Sequence, residues 1–64
     1  MNAIKKLRQE ANLSQSELAD RLKVTQGAVS QWENGLSLPT TDKLIEIANV
    51  LDCEISDLLG VSKS

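Results

Sequence analysis

The sequence has no histidine, tyrosine or phenylalanine, and only one each of cysteine, proline, methionine and tryptophan. Each gap removes a class of chemistry. The lone thiol, Cys53, makes no internal disulfide, so the core must hold the fold by itself, and such a chain suits a reducing, cytoplasmic setting. With no His and one Cys the usual zinc-ligand patterns cannot be assembled, and neither a metal nor a cofactor is expected. Triads and dyads that need a His base are excluded, so an enzyme acting on a small-molecule substrate is not expected. No apolar stretch approaches the ~18 residues of a membrane span. The start, Met1-Asn2-Ala3-Ile4-Lys5-Lys6, turns polar too soon for a secretory signal. A chain of 64 residues is expected to form one domain with one small core and no deep cleft.

What is present is polarised charge. The net charge is −2, but residues 1–31 hold five basic and three acidic side chains, whereas residues 32–64 hold two basic and six acidic. A small domain divided in this way can offer one face to a polyanion while staying acidic as a whole.

The apolar spacing is helical throughout. Ile4, Leu7, Arg8 and Ala11 stand at i, i+3, i+4 and i+7, with the Arg8 stem lying along the stripe. Asn12-Leu13 breaks that segment. Ser14-Gln15-Ser16-Glu17 fits a capping box opening a helix over 15–22, with Leu18, Ala19 and Leu22 inward. Thr25 caps a third helix from Gln26 to about Asn34, with Ala28, Val29 and Trp32 inward and Gly35 closing it in the left-handed conformation. Leu36-Ser37-Leu38-Pro39 is a loop, and Thr40 caps a fourth helix over 41–51. A short fifth helix carries Ile55, Leu58 and Leu59, ends at Gly60 and leaves residues 61–64 as a tail. No segment alternates with period two, so no sheet is expected, and the fold class is all-α.

The informative stretch is 15–34. Two helices of about eight residues are joined by only Lys23-Val24-Thr25, which forces a large crossing angle. Ala19 leaves space for the second helix, and Val24 plugs the corner. The projecting face of that helix is Gln26, Gly27, Ser30 and Gln31. Neutral amides and hydroxyls there, in place of Lys and Glu, suit base edges in the major groove of double-stranded DNA.

These residues carry a resemblance. LSQSELADRLKVTQGAVSQWENG, residues 13–35, resembles the helix-turn-helix of the phage repressor and Cro (XRE) family, and the later Leu44, Ala48, Leu51 helix fits the same pattern. The resemblance implies a compact five-helix lambda-repressor-like domain spanning residues 1–64. It also implies sequence-specific DNA binding as a homodimer, usually to control transcription. Three positions depart from the family's habit. Lys23 stands where Gly is frequent, Gly27 stands where a base-reading side chain is frequent, and Asp52-Cys53-Glu54 replaces a frequent Gly-Val-Ser. A Lys23 that keeps the left-handed conformation costs roughly 1 kcal/mol compared with Gly, and Asp52 tolerates the left-handed turn.

Roles follow residue by residue. Gln26, Ser30 and Gln31 are the base readers, with Gly27 allowing close backbone approach; a Gln amide can pair with adenine N6 and N7. Gln15, at the start of the second helix, contacts a phosphate by resemblance, with Ser16 beside it. Thr25, Asn34, Ser37 and Lys43 are the further phosphate candidates. Arg8 and Glu33 form a structural ion pair by resemblance. The dimer interface, also by resemblance, lies around Glu54, Ile55, Leu58 and Val61. Trp32 is read as core from its place beside Ala28 and Val29. The reading is a DNA-binding transcriptional regulator, a repressor on a palindromic operator. The rival is a protein-interaction module, such as an antitoxin or coactivator, on the same fold.

Overall fold

Short polar side chains start three of the five helices, and left-handed residues stop four of them. The computed structural model describes residues 3–59. Among these are α1 (Ile4–Glu10), α2 (Gln15–Leu22), α3 (Gln26–Glu33), α4 (Thr41–Leu51) and α5 (Ile55–Leu59), with no strand. The expected five-helix, all-α architecture is therefore present. Gly60 and the 61–64 tail lie outside the described residues.

The starts follow the sequence. Ser14 Oγ accepts from the Glu17 amide at 3.0 Å, and Glu17 Oε1 accepts from the Ser14 amide at 2.9 Å, closing the capping box. The hydrogen bond from the Ser14 backbone holds the Glu17 carboxyl below its ordinary pKa. Thr25 Oγ1 takes the Ala28 amide at 3.1 Å and Thr40 Oγ1 the Lys43 amide at 3.3 Å. At α5 the sequence offers no good N-cap. There Asp57 reaches back, and its Oδ2 accepts from the Glu54 amide at 3.1 Å.

Four helices end alike. Asn12, Lys23, Gly35 and Asp52 have φ of 61°, 59°, 75° and 54°. The amide after each reaches back five residues: Leu13 to Arg8 O, Val24 to Ala19 O, Leu36 to Gln31 O and Cys53 to Ala48 O, at 2.9–3.1 Å. These bonds satisfy carbonyls that the helix itself leaves unpaired. Three of the four turn residues bear side chains, which costs roughly 1 kcal/mol in this region where nothing compensates.

The core is Ile4, Leu18, Ala19, Leu22, Val29, Trp32, Ile47, Ala48, Leu51 and Leu58, with Leu7, Leu13, Val24, Ala28 and Leu44 packed around it. Burying a Leu or Ile of this kind stabilises by about 1.5–3 kcal/mol. Trp32 lies inside, as its spacing requires. The Ala3 amide donates to Leu58 O at 2.7 Å, so the entrance to α1 is tied to α5. One expectation fails: Ala11 is exposed. Glu10 ends α1, and Ala11 becomes its cap just before the left-handed turn at Asn12, so the inward stripe stops at Arg8.

Candidate nucleic-acid interface

Helix α2 turns into α3 through Lys23-Val24-Thr25. The left-handed Lys23 and the Val24-to-Ala19 hydrogen bond make the corner, Val24 packs against the core, and the inward faces of both helices are fixed by Leu18, Ala19, Leu22, Val29 and Trp32. The remaining face of α3 looks outward. Gln26, Gly27 and Gln31 are exposed and Ser30 is half-buried.

The corner brings the start of α2 against the start of α3. Ser16 Oγ donates to Gln26 Oε1 at 3.0 Å, and Gln26 Nε2 donates to Gln15 Oε1 at 3.4 Å. Gln15 Nε2 in turn donates to Glu33 Oε1 at 2.9 Å. Three sequence-predicted residues, Gln15, Ser16 and Gln26, thus form one connected cluster. At the other end of α3, Asn34 Nδ2 donates to Ser30 Oγ at 3.3 Å, and Ser37 Oγ donates to Gln31 Oε1 at 3.5 Å. Thr25 is exposed and its hydroxyl oxygen serves as the α3 cap.

Glu33 anchors the assembly. Its Oε2 accepts from Arg8 Nε at 2.6 Å, and its Oε1 accepts from Arg8 Nη2 at 3.1 Å as well as from Gln15. Arg8 Nη1 donates to Leu13 O at 2.8 Å. The two side chains are only 9% and 2% exposed, so α1, the turn after it, α2 and α3 share one buried polar cluster. Burial pushes the Glu33 pKa up. Hydrogen bonds from Arg8 and Gln15, with the Arg8 charge, outweigh it and hold the carboxyl below its ordinary value. The hydrogen bond to Glu33 raises the Arg8 pKa despite burial.

Gly27 is not required by packing. A Cβ there would meet only Thr25 Oγ1, at 3.8 Å, and the backbone has no positive φ. Helical glycine costs roughly 0.5–1 kcal/mol relative to Ala, so this position gives up stability without a packing reason.

Two expected site residues have other work. Lys43 Nζ donates to Leu22 O at 2.9 Å and pairs with Glu46 at 3.2 Å. Its ammonium caps the C-terminus of α2, which clamps α4 onto α2, and phosphate binding would compete with that contact. Leu58, expected at a dimer interface, has no accessible surface; it is a core residue because α5 packs with its middle facing in. Of the same expected patch, Glu54 is exposed, Ile55 is half-buried and Val61 lies outside the described residues. The loop after α3 also exposes Leu36 and Leu38, at 76% and 78%, which the sequence did not signal. No helix among the described residues is long and apolar enough to cross a membrane.

Two short helices crossed over a three-residue corner, the second showing a polar outer face, define a helix-turn-helix domain. A family model described as helix-turn-helix matches residues 4–58, and the chain belongs to that family, of the phage repressor and Cro-like XRE type. It is 48% identical over 46 residues to the 26 kDa repressor protein of Escherichia phage HK022, a match covering 72% of this chain and 20% of that protein. It is 32% identical over 53 residues to the cryptic phage CTXphi transcriptional repressor RstR of Vibrio cholerae, covering 83% and 47%. The structure resembles a transcriptional regulator from Listeria innocua with a TM-score of 0.80 at 27% identity, covering 94% of this chain and 56% of that one. The chain therefore spans less than half the length of these two repressors.

Proposed function

We propose that this chain is the DNA-binding unit of a sequence-specific transcriptional repressor that binds a palindromic operator as a homodimer. The observation that carries the reading is the outer face of α3: uncharged hydrogen-bonding side chains, with Gln26 held by Gln15 and Ser16 from the neighbouring helix. The related phage repressors support the regulatory role.

Helix α3 enters the major groove. Gln26, Ser30 and Gln31 read base edges, and Gly27 lets the backbone come close. Gln15, Ser16 and Thr25 flank one side and Asn34 the other, where they hold phosphates and set the register. The more acidic second half of the chain faces away from the duplex. Dimerisation doubles the base pairs read, which a single recognition helix needs to locate one site in a genome. Glu54, Ile55 and Val61 remain the proposed contact, without Leu58.

Selection of bound sequences from a random duplex pool tests this directly. A defined, two-fold symmetric consensus is expected. Gln26→Ala should relax it at one position in each half, while Gln15→Ala should weaken binding to all sequences alike. Recovery of unenriched sequences by the folded protein would remove the proposal.

A further inference from the structure

The proposed reading surface is short of positive charge. Helix α3 and the loop from Asn34 to Thr40 contain no Lys or Arg, whereas a duplex carries a phosphate charge about every 3.4 Å along each strand. Two basic side chains elsewhere in the fold are already engaged. Lys43 is bound to Leu22 O and Glu46, and Arg8 to Glu33 and Leu13 O.

Lys5 differs from both. It stands three residues before Arg8 on α1, so the two side chains leave the same face of the helix one turn apart. Arg8 turns inward to Glu33, while Lys5 is exposed. Burial raises the Glu33 pKa, and the Lys5 charge joins the bonds from Arg8 and Gln15 in lowering it, so Lys5 lies within electrostatic reach of that carboxylate. Yet Lys5 forms no ion pair among the described residues. The reason is that Glu33 is fully occupied. Its Oε2 holds Arg8 Nε, its Oε1 holds Arg8 Nη2 and Gln15 Nε2, and its side chain is 2% exposed. Arg8 and Glu33 cancel one another, which leaves Lys5 as an uncancelled positive charge in solvent. The other partner of Glu33 is Gln15, which opens α2 and holds Gln26 on the outer face of α3. The free charge therefore borders the Gln15 cluster.

We propose that Lys5 is a phosphate-binding residue of the DNA interface, whose ammonium holds the backbone beside Gln15 and supplies the neutralising charge that α3 lacks. This rests on the reading of α3 as the recognition helix. The lysine ammonium is a point charge on a flexible stem, so it neutralises a phosphate without reading a base. Lys6, the next residue, leaves α1 about 100° further round, away from the face that carries Arg8, and does not share the role.

The test uses the whole chain and the duplex consensus obtained by selection, with anisotropy titrations at several salt concentrations. In Lys5→Gln the slope of log affinity against log salt should become shallower by about 0.9 for each subunit bound. The affinity lost per subunit between about 50 and 200 mM salt should accordingly be roughly 3.5-fold less than for wild type. Binding to all duplexes should weaken alike, and the selected consensus should not change. Lys5→Arg, which keeps the charge, should retain the wild-type slope, and so should Lys6→Gln. Thermal melts followed by circular dichroism establish that each variant is folded.

The outcomes separate the two layers. If folded wild type selects no consensus, the recognition-helix reading fails, and if it binds no duplex at all, Lys5 falls with it. If wild type selects a consensus but Lys5→Gln keeps the wild-type slope, Lys5 is a solvated lysine and the proposal is overturned. It is also overturned if Lys6→Gln lowers the slope as much, which would make the effect one of net charge, or if Lys5→Gln alters the consensus.

Discussion

Gln15 Nε2 lies 2.9 Å from Glu33 Oε1, a side-chain hydrogen bond across 18 residues of sequence. The carboxylate that neutralises Arg8 therefore also orients the first residue of α2, and Gln15 passes that orientation to Gln26. A buried ion pair that would otherwise be a simple brace sits at the back of the proposed reading surface. Its removal should register in both stability and recognition.

Glu33→Ala leaves the Arg8 guanidinium buried without its partner and should cost about 3 kcal/mol, a large part of what so small a domain has. Glu33→Gln gives the pH dependence. The folded-state pKa of Glu33 lies below its unfolded value, which is about 4.3. Its contribution is thus complete above about pH 5 and disappears as pH falls through the lower, folded-state value. Urea unfolding across this range should show a shallower acid-side loss for Glu33→Gln than for wild type. Identical slopes would show that Glu33 contributes no such linkage.

Lys23 holds the left-handed turn between α2 and α3 at φ 59°. Lys23→Gly should relieve the steric cost and stabilise the domain by about 1 kcal/mol, which in a domain of this size raises Tm by roughly 4–8 °C. Lys23→Ala, which keeps the Cβ, should not. A glycine variant melting at or below the wild-type temperature would show that Lys23 carries no strain.

Gly27→Ala separates fold from function. The added methyl meets nothing closer than 3.8 Å, so the variant should be more stable by about 0.5–1 kcal/mol. Its affinity for the selected consensus should nevertheless fall, because the methyl keeps α3 from closing on the duplex. Calorimetry and a fluorescence anisotropy titration on the same preparation read both quantities. Unchanged affinity would leave the glycine without a binding role.

Dimerisation is tested by sedimentation of the free protein and by comparing full with half palindromes. Weak self-association is expected in solution, tightening on DNA with half-sites about 34–36 Å apart. A 1:1 complex on the full palindrome, no tighter than on a half-site, removes the dimer. Leu58→Ala serves as a contrast. Because Leu58 is buried, that variant should lose about 2–5 kcal/mol of stability rather than simply become monomeric.

Most features set within a few residues are legible in the sequence, although the turn at Asn12 that ends the first stripe before Ala11 and the Asp57 cap of α5 are not. Ser14 with Glu17, Thr25 and Thr40 capped their helices as read, and Gly35, Lys23 and Asp52 took the left-handed turns. Spacing alone put Trp32 in the core. These are short-range effects, in which a side chain and the backbone group it satisfies are held together by the chain itself. The outer face of α3 was legible for the same reason, since helical periodicity says which residues share a side. Tertiary structure decided what depends on how the helices cross. By its sequence position Lys43 is a basic residue available to a phosphate, and the packing of α4 against α2 puts its ammonium on Leu22 O, 21 residues away. The family resemblance places Leu58 in a surface patch, and the docking of α5 buries it. The links from Glu33 to Gln15 and from Ser37 to Gln31 likewise follow from the angle between helices and the path of one loop. A one-dimensional pattern specifies which side of a helix is inward, but not which distant polar groups that packing brings within hydrogen-bond reach.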